Sequence, residues 1–133
     1  MLNPFPQLLD FAFFAPLLLR VAVAIVLMYL AYKLVCAQGE ITKIRFPILG
    51  KPGAWLVWAR ATIEVLVALA LLLGYYTQIA AGVAMVLAIK HFVFARRYPT
   101  IIPLSRATYS LLFVICLSLL LTGAGAWAID IPL

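Results

Sequence analysis

The hydrophobic positions of this 133-residue chain gather into four long runs separated by short polar connectors. The first run extends from about Phe11 to Val35 and the second from about Ala54 to Leu73. The third extends from about Gln78 to Ala95 and the fourth from about Ala107 to Ile129. Each is near the roughly 20 residues that a helix needs to cross about 30 Å of hydrocarbon. A backbone in lipid must satisfy its own hydrogen bonds, which favours helices over open strands. None of the runs alternates apolar and polar positions as barrel strands do. The pattern therefore predicts an all-α fold, a membrane four-helix bundle with four transmembrane helices.

The connectors carry turn signals. Gly39, Pro47, Gly50, Pro52 and Gly53 punctuate the first, and Pro52-Gly53 is expected to end it just before the second helix. The second connector, Gly74-Tyr75-Tyr76-Thr77-Gln78, is tight, so helices two and three should form an antiparallel hairpin. Pro99 and Pro103 mark the third, and Pro4 and Pro6 mark a short N-terminal arm expected on the membrane surface. The first run does not read as a cleavable signal, because it lacks a basic leader and Arg20 interrupts it.

Composition sharpens the picture. Hydrophobic residues make up 68% of the chain and charged residues 11%, against roughly 45–50% and about 25% in soluble domains. A soluble fold of this length lacks the polar surface to cover such an inventory. The length suits one domain over 1–133. The net charge of +6 resides in connectors and isolated helix positions, so it gives no basic stripe for nucleic acid. Lys33, Lys43, Arg45 and Lys51 flank the first connector, and Arg96, Arg97 and Arg106 the third. Basic connectors stay cytoplasmic, which places both termini, with Asp10 and Asp130, on the outer side of an inner membrane. Tyr75, Tyr76 and Trp127 then fall at the outer interface and Trp55 at the inner one. Cys36 and Cys116 form no CxxC pair and read as packing residues.

The chemistry must come from side chains that do not belong in lipid. Five stand out: Arg20, Arg60, Glu64, Lys90 and His91. A charge at mid-bilayer costs roughly 2.5–3.5 kcal/mol even on a lenient scale, so such residues face a bundle interior or a wet cavity. By the helical rise, Arg20 and Glu64 both fall near the midplane, and an Arg20–Glu64 ion pair is expected. Arg60 and Glu64, four apart, share a helix face. Three cations against one acid call for further acceptors: a bound anion, quinone oxygens, water, or a partner's carboxylate. The alternative for Arg60 and Lys90 is snorkelling to the inner headgroups. Glu64 reads either as a structural counter-ion or as a proton-exchanging acid. Tyr29 and Tyr32 add phenol donors along helix one. With a single His, a protein-only metal site is not expected. The small-residue run Thr122-Gly123-Ala124-Gly125-Ala126 either lets helix four approach a neighbour closely or unwinds its end.

The stretch Ala61-Thr-Ile-Glu64 through the apolar run to Gly74-Tyr-Tyr-Thr77-Gln78 resembles the signature of the DoxX family. Helix one is similar too, with Leu-Leu-Leu-Arg20 early and Lys33-Leu34 at its end, as is the closing Gly123-Ala-Gly125-Ala-Trp-Ala-Ile-Asp130. Gln78, Leu30 and Ala128 depart from the family's Arg, Gly and Ser. The resemblance implies a four-helix bundle, a link to membrane redox chemistry, and structural roles for Gly74, Thr77, Gly123, Gly125 and Asp130. DoxX-like proteins are similar to the large subunit of thiosulfate:quinone oxidoreductase.

Two function classes follow. In the first, the chain is the membrane component of a quinone-linked redox system, possessing a polar site inside the bundle. Glu64 and Arg20 are its candidate catalytic residues, and Arg60, Lys90, His91 and Tyr32 its candidate ligand-binding residues. Quinone is the expected cofactor. No flavin, haem or iron–sulfur motif is present, so electrons come from a substrate or a partner subunit. In the second, the chain is a non-catalytic anchor or assembly subunit of a larger membrane complex. A small transporter is a third class. Both of the first two expect other membrane or redox subunits beside the lipid bilayer as partners.

Overall fold

The computed structural model describes residues 14–43, 53–96, 98, 102–123 and 129. Four long helices form: α1 (Ala15–Cys36), α3 (Ala54–Leu73), α4 (Thr77–Phe94) and α5 (Arg106–Thr122). A single helical turn, α2 (Gln38–Ile41), folds in the connector after α1 and seats Ile41 in the core. The N-terminal arm, Asp10, Trp127, Gly125 and Asp130 lie outside the described residues.

Local chemistry sets the helix ends. Pro16 occupies the first turn of α1, where its missing N–H costs nothing. Gly74 closes α3 in the left-handed region at φ 65°. The Tyr75 N–H donates to the Ala70 carbonyl at 2.9 Å and the Gly74 N–H to Leu71 at 3.3 Å, a Schellman closure. Tyr76, also left-handed at φ 47°, completes the turn into α4. Ser105 Oγ accepts from the Thr108 N–H at 3.2 Å and caps α5. Replacing Gly74 with Ala forces a Cβ into the left-handed region. A loss of about 1–2 kcal/mol is expected, read by SDS-induced unfolding in mixed micelles.

The fourth hydrophobic run does not remain helical to Ile129. Helix α5 stops at Thr122, because Gly123 turns out of the helix at φ 77° and ψ −162°. Gly123, the first glycine of the small-residue run, thus ends the helix, and 124–126 lie outside the described residues. Downstream, the Ile129 N–H donates to the Gly74 carbonyl at 3.1 Å, which ties Ile129 to the α3–α4 turn. Close helix approach is supplied elsewhere, by Ala24, Ala68, Ala81, Ala84 and Ala88, all fully buried.

Helix α1 packs along α3 and α4 along α5, and the α3–α4 and α1–α5 contacts close the bundle. Buried positions follow a three-four spacing on every helix: 20, 23, 24, 27 and 30 on α1; 57, 61, 64, 67, 68 and 71 on α3. On α4 the stripe runs through 77, 80, 81, 84, 87, 88 and 91, and on α5 through 109, 112, 116 and 119. Arg20, Glu64, Thr77 and His91 lie on these stripes and are 0–3% exposed. Outside, Leu18, Ile25, Leu66, Ile79, Val86 and Leu121 are 60–76% exposed. Charges inside and large aliphatic side chains outside are the reverse of a water-soluble domain. The solvent of this bundle is lipid, and the protein is a multi-pass membrane protein. Helices α1, α3 and α4 have the length and composition to cross a bilayer. The 17 residues of α5 sit at the short end of the spanning range.

Candidate functional site

The polar centre is built by three residues on two adjacent helices. Glu64 points inward from the middle of α3 and is fully buried. Arg60, one turn earlier and slightly off the stripe, folds back so that its Nε donates to Glu64 Oε1 at 3.3 Å. Its Nη2 lies 2.7 Å from Nε2 of His91, which α4 presents from the facing stripe. A guanidinium has donors only, so Nε2 must accept. The other ring nitrogen, Nδ1, lies 2.6 Å from the Leu87 carbonyl and must donate to it. The two contacts together assign the neutral tautomer with the proton on Nδ1. The 3.4 Å separation of His91 Nε2 from Glu64 Oε1 is then a meeting of two acceptors bridged by Arg60, not an ion pair. The second carboxylate oxygen, Glu64 Oε2, is buried and makes no hydrogen bond among the described residues.

Tyr109, fully buried on α5, stacks on the far side of the His91 ring, with centroids 5.2 Å apart and planes inclined by 12°. Tyr109 was not among the site residues expected from the sequence. The signal was present, since 109, 112, 116 and 119 repeat at the spacing of a buried helical seam.

The centre opens into a cavity of about 380 Å³ between α3 and α4, in the half of the bundle that bears the basic connectors. Arg60, Lys90 and His91 supply its polar wall, and Leu34, Ile41, Val57, Leu87 and Ile102 much of its apolar wall. Ile63 and Phe94, both outward-facing, form part of its rim, so it opens sideways toward lipid. Lys90 is exposed at that rim.

The other expected site residues go elsewhere. Arg20 is fully buried but does not line the cavity, and it does not pair with Glu64, whose charged partner is Arg60. The expected Arg20–Glu64 pair fails because α1 starts at Ala15, which places Arg20 only five residues into it. Glu64 lies nine residues from the same end of the bundle on α3, an axial offset of about 6 Å. Tyr32 is 65% exposed on the outer face of α1 and does not line the cavity. Lys33 approaches the Tyr29 ring at 5.7 Å on that same outer side. Thr77 is buried at the first turn of α4, directly after the Gly74 closure.

A family model described as DoxX matches residues 15–97, from α1 through α4. No curated protein and no solved structure matches the chain.

Proposed function

This chain belongs to the DoxX family, and from that premise we propose that it is the membrane component of a quinone-linked redox system, its α3–α4 cavity receiving the quinone head. The supporting observation is the juxtaposition of the buried Arg60–His91–Glu64 cluster with an apolar cavity that opens toward lipid. A quinone is a flat ring with two carbonyl acceptors and an apolar tail that lives in the bilayer. The cavity offers that ring N–H donors from Arg60 and Lys90 within an aliphatic wall, a fit in both polarity and size. Reduction of a quinone to its quinol takes two electrons, supplied by a partner redox protein, and two protons.

Within this reading Arg60 and Lys90 orient the carbonyl oxygen by donating to it. A carbonyl that draws Arg60 away from His91 exposes the Nε2 lone pair, which takes up a proton from water and passes it to the reduced quinone oxygen. Glu64 holds the guanidinium in place and, through Oε2, is the second group able to take a proton. Arg20 belongs to the packing of the opposite half. The basic connectors face the cytoplasm across an inner membrane, and the partner subunits dock on that side. A purely structural anchor accounts for the bundle but gives no reason for a polar cluster beside a lipid-facing cavity.

The test is binding of decyl-ubiquinone to the protein in nanodiscs, read by quenching of Trp55 and Trp58 in the first turns of α3, the helix that lines one side of the cavity. Saturable binding is expected, weakened about tenfold or more in Lys90→Gln, which removes the ammonium that donates to the carbonyl oxygen. Unchanged affinity per folded molecule in that variant rejects the reading.

A further inference from the structure

The charges around the cavity do not sum to zero. Arg60 and Lys90 line it, and Glu64 stands buried behind Arg60. His91 is neutral by its two hydrogen bonds. The nearest acid on the connector side, Glu40, is bonded to Lys43 at 3.1 Å, and both are exposed and off the cavity wall. Among the described residues, two cations against one anion leave a local charge of +1 in an apolar surrounding, where an unbalanced charge is costly. We infer that the cavity selects single-chain amphiphiles with a carboxylate head, of the class of free fatty acids, and that Arg60 and Lys90 together grip that head.

The donors support this assignment. Arg60 spends Nε on Glu64 and Nη2 on His91, and its Nη1 makes no hydrogen bond among the described residues. Lys90 at the rim contributes an ammonium with three donors. A carboxylate accepts from a guanidinium and an ammonium at once, through its two oxygens. Depth agrees as well. Arg60 lies six residues from the start of α3 and Lys90 four from the end of α4, about 9 Å and 6 Å of helix. Both stand just below the boundary of acyl region and headgroups, so a fatty acid carboxylate descends less than about 10 Å from its resting level to reach them. A molecule entering between Ile63 and Phe94 brings its head to Arg60 and Lys90 and lays its tail against Ile63 and Leu87, which lie deeper along α3 and α4. The volume of about 380 Å³ suits one chain rather than the two of a phospholipid. This inference concerns the same cavity but stands whether or not a quinone also enters it.

A fluorescent polyene fatty acid serves as the probe, added to the protein in phosphatidylcholine nanodiscs at pH 8.5, with protein-free nanodiscs as the baseline. Energy transfer from Trp55 and Trp58 reports occupancy. Dodecanoate is expected to displace the probe at concentrations at least about tenfold lower than dodecanol or dodecylamine. Lys90→Glu should abolish this preference and Lys90→Arg should keep it. Lys90 is exposed, so neither substitution disturbs the core. Equal displacement by acid, alcohol and amine overturns the inference, as does a Lys90→Glu variant with the affinity of the parent. Displacement by dodecanoate but not by decyl-ubiquinone sinks the quinone reading and leaves this one standing. The opposite outcome does the reverse.

Discussion

Arg60→Leu should destabilise the bundle by about 3–5 kcal/mol, and adding Glu64→Leu to it should restore most of that loss. Glu64 is fully enclosed, and Arg60 is the cation that holds it at 3.3 Å. Removal of Arg60 strands a carboxylate among Ala61, Val67 and Ala68, and removes the donor that satisfies His91 Nε2. Removing both charges leaves aliphatic surface facing aliphatic surface except at His91 Nε2, whose lost donor keeps the restoration incomplete. Steric trapping or SDS titration of the two single variants and the double variant measures the coupling. A double variant less stable than Arg60→Leu alone would mean that the two side chains act independently. Arg20→Leu, made in parallel, should show no coupling to Glu64→Leu, because Arg20 does not pair with it.

That contrast shows how much of the site was legible in the sequence. Hydropathy located the second helix at Ala54–Leu73 and the hairpin turn at Gly74, because both follow from local chemistry. The five intramembrane polar residues were also visible, since the cost of placing them in lipid is a property of each residue alone. Their pairing was not. Arg20–Glu64 and Arg60–Glu64 are equally permitted by depth counted along a helix; only the true start of α1 and the inter-helix register separate them. The three-four stripes carried part of the answer. Positions 64 and 91 lie on the buried stripe, whereas 60 and 90 fall one step off it. This is why the acid and the imidazole are enclosed while the two cations reach the cavity. The end of α5 was misread for a different reason. Hydropathy continues through Gly123 to Ile129, but backbone conformation at Gly123 does not.

Tyr109 completes the site from the one long helix that the hydropathy pattern left without a functional residue, and its truncation should have the second large effect. Tyr109→Ala removes a fully buried ring that stacks on His91 at 5.2 Å. Large aromatic truncations in soluble cores cost about 3–5 kcal/mol. Part of that figure is transfer from water, a contribution that shrinks when the unfolded reference also lies in lipid. What remains is lost packing on both sides of the ring, so a value near 3 kcal/mol, the low end of that range, is expected. A smaller cavity already lies beside Tyr109, lined by Ala88, Ile89, Phe92 and Phe113. Without the ring, this space gains access to the face of His91 that Tyr109 now covers. The imidazole then has room to leave the Leu87 carbonyl that fixes its tautomer. Tyr109→Phe keeps the stack and should retain both stability and ligand affinity. Tyr109→Ala should weaken ligand binding per folded molecule even where stability is recovered by added lipid. Equal binding by the two variants would show that the ring does not position His91. The site would then be the work of α3 and α4 alone.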